Sequence, residues 1–178
     1  MKFDICRIET VPSTNSVLLE KAAQGAAEGL VIYTDYQTAG RGKPGNKWFS
    51  PKGKNLLFSV LLRPPVSAAK APLITQIACR SVARVLKERF KIAADFKRPN
   101  DLLVGGRKIC GTLVEASSRG TKVEAVVIGI GLNVNAEGRE LFRGSTSLKT
   151  LLKETIDLEP LLVQILNQLS EDIRPVYA

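Results

Sequence analysis

The 178-residue chain contains no histidine. That excludes Ser-His-Asp and Cys-His catalysis and makes a zinc site of the usual composition unexpected, because imidazole serves in all three. An enzyme with this sequence must work with Lys, Arg, Asp, Asn and backbone dipoles. Cysteine is scarce as well: Cys6, Cys79 and Cys110 are far apart and form no C-x-x-C pair. An odd, scattered set reads as reduced, buried thiols rather than a disulfide framework. No apolar run reaches the ~18 residues of a membrane-spanning helix. An acid and a base interrupt the apolar residues of MKFDICRIET, against a secretory signal. A cytoplasmic protein with no membrane contact is expected. Aromatic residues are 6% of the chain and no nucleic-acid-binding motif occurs, so no nucleic-acid partner is expected despite the charge.

That charge is +9, and 44% of the residues are hydrophobic, ordinary for one globular domain spanning 1–178. There are no internal repeats, low-complexity stretches or clear linkers. Basic residues concentrate locally: 41–54 carry Arg41, Lys43, Lys47, Lys52 and Lys54 without one acid. A single-sign cluster focuses its field on an anionic partner, whereas dispersed surface charge is merely solvated.

The apolar–polar alternation of 4–11 predicts a half-buried strand. Pro12 ends it, and Ser13, Thr14 and Asn15 offer cap side chains to a helix over 16–29, weakened by Gly25 and Gly29. GLVIYTDYQ reads as a strand, and NLLFSVLLRP as a strand buried on both faces. Ser67 is a cap for a helix to Phe90, with Leu73, Ile74, Ile77, Ala78, Val82, Val85 and Leu86 as one apolar stripe. IAADFKRP is a further strand. LLVGGRKICGTLVEAS reads as a hairpin turning at Gly105-Gly106, and 121–135 as a long strand interrupted by Gly129 and Gly131. Such glycines mark either close ligand approach or tight sheet packing. Helices are expected over 146–154 and from Leu158, capped by Asp157, to about Ile173. The sum is an α+β fold with a mixed, mainly antiparallel sheet and packed helices.

GRGKPG, residues 40–45, spells the glycine pattern of a dinucleotide-binding turn. That chemistry needs a helix N-terminus directly after the last glycine, where the dipole meets a pyrophosphate. Here NKWFSPKGKN follows, broken by Pro51 and Gly53, and then a strand. No acid stands about 20 residues on, and no G-K-[ST] closes a P-loop. The string is instead part of a long cationic loop, Thr38 to Lys54, between two buried strands. Long loops in compact domains tend to be functional or disordered. Trp48, the one tryptophan, is suited to stack on a base, to close a lid, or to anchor the loop on the core.

A second cluster is KRPNDLLVGGRKICG. Asn100 and Asp101 open a strand after Pro99, and Lys108 follows seven residues later across the turn. On antiparallel strands the two face one site, where a carboxylate organises an ammonium that meets an anion. Turn chemistry alone is the plainer alternative.

QTAGRGKPGNKWFSPKGKNLLFSVLLRP resembles the ATP-binding stretch of biotin–protein ligases. KRPNDLLVGGRKICGTLVEA, VVIGIGLNVN and the STN at 13–15 resemble the family's other motifs, in the right order over about residues 5–135. The resemblance implies a fold like the catalytic core of class II aminoacyl-tRNA synthetases. It implies activation of biotin by ATP and Mg²⁺ to biotinyl-5′-AMP, then transfer to a lysine of a biotin carboxyl carrier domain.

Position by position, the resemblance makes Lys108 and Arg41 the catalytic cations. Ser13, Thr14, Asn15, Gln37, Gly40, Arg41, Lys108, Gly111, Gly129 and Gly131 are expected at biotin. Arg41, Gly42, Lys43, Gly45, Trp48, Asn100, Asp101, Lys108 and Asn133 are expected at ATP or the adenylate, with Asp101 at Mg²⁺. The chain departs from the family at Arg98, where Trp is usual, and at Lys43, where Arg is usual and Pro44 follows. The resemblance implies a monofunctional ligase with neither an N-terminal helix-turn-helix nor the C-terminal small domain, and it allows a homodimer. The alternatives are a lipoate ligase or acyl transferase of the same superfamily, and a non-catalytic biotin- or nucleotide-binding regulator.

Overall fold

In the computed structural model, which describes residues 1–43, 45–65, 67, 70–119 and 122–177, seven strands form one sheet. β1 (Asp4–Val11), β2 (Leu30–Gln37), β3 (Leu56–Leu62), β4 (Asp95–Lys97), β5 (Asp101–Val104), β6 (Arg107–Arg119) and β7 (Lys122–Leu132) lie in the order β1-β2-β3-β7-β6-β5-β4. β1 and β2 are parallel, linked through α1 (Thr14–Ala23); every other pairing is antiparallel. The expected mixed, mainly antiparallel α+β architecture is the one observed.

Strand alternation sorts the two faces. On β3, Leu56, Phe58, Val60 and Leu62 join the core under α2 (Ala71–Phe90) and α4 (Leu158–Asp172), with α3 (Leu148–Leu152) at its margin. On the other face Leu61 packs with Ala125 and Val127 beneath Leu18 and Ala22 of α1. All of β3 is buried, as a continuous apolar run requires. Burying one such side chain removes about 1.5–3 kcal/mol of unfavourable hydration. α1 is short and covers only part of its face, and beyond Val127 the β7 residues on that face are Gly129 and Gly131. A trough opens there.

Several local expectations are corrected. β1 is mostly exposed, Ile5 being 42% accessible, because it forms one edge of the sheet. Cys6 is exposed for the same reason, whereas Cys79 and Cys110 are buried. Leu73 is 43% accessible and drops out of the α2 stripe; the helix starts at Ala71 with Lys70, not Ser67, in the cap position. Residues 68 and 69 between them, with Pro44 and Thr121, lie outside the described residues. α1 ends at Ala23, before Gly25 and Gly29, which both take positive φ. Asp157 occupies the cap of α4 without a side-chain cap bond, whereas Ser147 accepts from the Thr150 amide at the start of α3. The β5–β6 hairpin turns at Gly105 (φ 55) and Gly106 (φ 75), as its sequence predicts.

Candidate ligand-binding site

The trough is a cavity of about 310 Å³, ringed by Ser13, Thr14, Asn15, Gln37, Arg41, Gly42, Lys43, Trp48, Asn100, Asp101, Lys108, Gly111, Gly129, Gly131 and Asn133. Four motifs distant in sequence thus share one space. Gly40 and Gly45 stand on the loop without lining it.

Its floor is sheet backbone. Gly111 on β6 is paired with Gly131 on β7, and Leu113 with Gly129. A Cβ at Gly129 would lie 2.2 Å from Asn15 Oδ1, and one at Gly131 would lie 2.5 Å from Trp48 Cε2. Only glycine leaves room there, and packing by Asn15 and Trp48 now answers what these glycines accommodate in the folded chain.

One wall is the start of α1. The Thr14 amide donates to Gln37 Oε1 at 2.8 Å, and Ser59 Oγ lies 2.6 Å from both Thr14 Oγ1 and Asn15 Oδ1. Asn15 Nδ2 donates to the Leu113 carbonyl at 3.2 Å. These side chains, expected as helix caps, instead tie α1 to the sheet; Ser13 makes no side-chain cap bond.

Lys108 reaches the floor because of a register shift. β5 and β6 pair Leu102 with Cys110 but Leu103 with Lys108, leaving Ile109 as the extra residue of a bulge. Ile109 and Cys110 both enter the α2-side core, whereas Lys108 points to the face that Gly111 occupies: a Cβ at Gly111 would lie 3.2 Å from its Nζ. Uninterrupted alternation would send Lys108 to the same side as Cys110. Asp101, directly opposite Gly111, lies with Oδ1 2.7 Å from Lys108 Nζ, an ion pair short of aligned hydrogen-bond geometry. The Lys108 ammonium also stands 5.3 Å from the Trp48 ring centre. The strand backbone at Lys108 is braced by the chain after β7: its amide donates to the Gly144 carbonyl and its carbonyl accepts from the Thr146 amide.

The 38–54 loop forms the opposite wall as a narrow ladder. The Trp48 amide donates to the Gly40 carbonyl at 3.0 Å, and the Gly42 amide to the Asn46 carbonyl at 2.9 Å. No helix follows it, so the structure also denies a dinucleotide turn. Lys52 pairs with Glu9 of β1, which raises the pKa of its ammonium, and the Gly53 amide donates to the Asp35 carbonyl. Behind the site, burial pushes the Cys79 thiol up to about 11, beside Thr112, and raises the Cys110 thiol well above its ordinary value as well.

Two buried polar atoms of the lining, Trp48 Nε1 and Asn100 Oδ1, have no hydrogen-bond partner among the described residues. Such orphans in a cavity suit a polar ligand. Sequence reasoning missed Leu141, Phe142 and Ser145 of the chain after β7, which line the cavity but carry no motif. It also passed over Asn55, whose Oδ1 accepts from the Val134 amide at 2.9 Å while its Nδ2 donates to Ser50 Oγ. A buried polar side chain at the head of an apolar strand was the available signal.

The model of the biotin/lipoate A/B protein ligase family matches residues 7–133. The chain belongs to that family. It is 36% identical over 162 residues to the bifunctional ligase/repressor BirA of Bacillus subtilis, spanning 89% of this chain and 50% of that protein. It is 32% identical over 166 residues to the biotin–[acetyl-CoA-carboxylase] ligase of Mycobacterium tuberculosis, spanning 90% and 60%. The structure of the Aquifex aeolicus biotin protein ligase with biotin and ATP matches with a TM-score of 0.82, at 27% identity over 98% of this chain and 72% of that one. The Leishmania major biotin protein ligase with biotinyl-5-AMP matches at 0.74 and 30% identity, over 93% and 73%. The chain spans about half the length of the first of these curated relatives. The family match over 7–133 therefore takes in the four motifs that ring the trough and the loop above it. Among the described residues, no helix is long and apolar enough to cross a membrane.

Proposed function

We propose that this chain activates biotin with ATP to biotinyl-5′-AMP and passes the biotinyl group to a lysine of a biotin carboxyl carrier domain. One observation carries the reading: Lys108, paired with Asp101, stands over a side-chain-free glycine floor and under a cationic loop. An acyl-adenylate needs such a setting, with a slot for a flat ring system and fixed positive charge at the phosphate. The names of the relatives and the ligands in the matched structures support the same substrates.

In the first step the biotin carboxylate attacks the α-phosphorus of ATP, the bond to the β-phosphate oxygen breaks, and pyrophosphate leaves. Lys108 is suited to draw the two anions together, since charge that is already in place costs no reorganisation during reaction. Arg41 and Lys43 meet the same phosphate from the loop, and Trp48 offers an indole face to adenine. In the second step a neutral acceptor amine attacks the acyl carbon, and AMP departs with the electron pair of the broken C–O bond. Loop closure keeps water from the intermediate, which hydrolyses readily.

Asp101 and the orphaned Asn100 Oδ1 are oxygen donors that fit Mg²⁺ bound chiefly through substrate phosphates. Among the described residues no three acidic, Cys or His side chains group closely enough to hold a metal alone. When bound, the ion would neutralise charge on the phosphates.

The test is mass-spectrometric detection of biotin on an acceptor domain, with wild type and Lys108→Ala. The variant is expected to lose about 10²–10³ of the rate, as for removal of a key charge-stabilising donor, with its melting temperature little changed. Unaltered biotinylation overturns the assignment, and lipoate-dependent rather than biotin-dependent pyrophosphate exchange assigns the site to the other branch of the family.

A further inference from the structure

Arg41 is already engaged. Its Nη2 lies 2.9 Å and 3.3 Å from the two carboxylate oxygens of Glu115, and its Nη1 lies 2.5 Å from Ser16 Oγ. Glu115 stands on β6 opposite Val127, just beyond the floor, and its Oε2 also accepts from Asn15 Nδ2 at 2.7 Å. One carboxylate therefore ties the loop to the α1 wall. Lys43 and Lys47, farther along the same loop, make no ion pair with any described residue.

We propose that Glu115 is a positioning residue that holds Arg41 in the ligand-free protein and hands it to the phosphate of the bound acyl-adenylate. This rests on the ligase reading above. The exchange replaces one anion by another, so the guanidinium is paired in both states. Both partners are partly solvated, at 39% and 31% side-chain exposure, and such a pair is a weak tether that a better-placed anion displaces. A ligand shifts the loop only by its preference for the released arrangement, and an anion lying under the loop has that preference where a neutral ring does not. Glu115 thereby gives the guanidinium a partner and a position before the ligand arrives without competing strongly afterwards.

Trp48 reports on this directly, because it is the one tryptophan and sits on the same loop. Acrylamide quenching of its emission should rise about twofold in ligand-free Glu115→Gln, the population shift that a weak ion pair can hold. Ser16→Ala should move it the same way by less, and Glu115→Asp should restore most of the wild-type value. With saturating biotinol-5′-AMP, a stable phosphate-bearing analogue, all four proteins should converge. Equal quenching without ligand overturns the proposal. So does a difference that persists in the complex, since Glu115 would then act through Asn15 as plain structure. If the wild type binds no analogue at all, the ligase reading falls and takes the hand-over with it. If the wild type binds and the free proteins do not differ, only the role of Glu115 falls.

Discussion

Gly129 and Gly131 are held by ladder hydrogen bonds to β3 on one side and β6 on the other, whereas Gly40 to Lys54 are held by a narrow ladder of their own and a few ion pairs at the surface. The floor is paired on both sides within the sheet and shares its rigidity. The loop has little buried apolar surface, so its opening costs far less than unfolding. The Lys108–Asp101 pair rides on strands, whereas Arg41 and Lys43 stand on the loop, so the proposed chemistry divides between a fixed pair and a loop that meets the phosphate. Perturbing the floor should therefore alter stability and binding together, and perturbing the loop should alter binding alone.

The largest effect is expected at Gly129→Val. Its Cβ would meet Asn15 Oδ1, which accepts from Ser59 Oγ while Asn15 Nδ2 donates to the Leu113 carbonyl. Overpacking of this kind costs about 1–3 kcal/mol of stability, and displacing the Asn15 wall should weaken biotin binding roughly 100-fold, about 2.8 kcal/mol. Calorimetric titration beside thermal melting checks both; a variant with native affinity would show that the floor is more pliant than its register suggests.

Trp48→Ala is the matching change on the loop. If the indole carries adenine, losing about 1–3 kcal/mol of stacking should raise the KM for ATP some 5- to 150-fold, with melting temperature and biotin affinity nearly unmoved. A rise confined to the KM for biotin would reassign Trp48 to the other end of the trough.

A smaller effect separates the regions by pH. Burial holds the Cys79 thiol neutral up to about 11 in the folded protein, against ~8.5 for an exposed thiol. The folded pKa is the higher one, so this contribution to stability is complete below ~8.5 and is lost as pH rises from there toward 11, at no more than about 1.4 kcal/mol per pH unit. Urea midpoints at pH 8 and 10 should fall less in Cys79→Ala than in wild type. An identical fall in both would place the alkaline sensitivity elsewhere.

The smallest change is Lys43→Arg. A planar fork grips a phosphate at two points where an ammonium grips it at one, so escape of biotinyl-AMP should slow by roughly two- to fivefold, within the range of a partly solvated ion pair. Equal release rates, followed by rapid filtration of the labelled intermediate, would mean that Lys43 does not touch the phosphate.

Most of the fold was legible because its signals are local. The apolar run of β3, the Gly105-Gly106 turn and the periodicity of α2 and α4 each depend on a few neighbouring residues, and all reappear in three dimensions. The misreadings fall where burial depends on a distant neighbour. Ile5 and Cys6 look like sheet residues and are, but the sheet ends at their strand; Leu73 keeps the helical spacing on a turn that no described residue buries. In the site, most residues of the recognisable motifs come together around one cavity, while Leu141 and Phe142 carried no signal, since their membership follows only from how the chain after β7 folds back along Lys108.

By itself, the sequence narrowed the chemistry open to the protein: it has no histidine, and its cations are concentrated in one loop and on one hairpin, which is the basis of the proposed fixed-charge mechanism. It also ruled out the dinucleotide reading of GRGKPG, because a strand and not a helix follows. Only the tertiary structure decided that the charges meet. Strict alternation along RKICG would place Lys108 on the α2 side with Cys110, away from Gly111, and it is the shifted pairing with β5 that turns it into the trough beside Asp101. A bulge is a property of two strands paired together, and so no reading of either strand alone contains it.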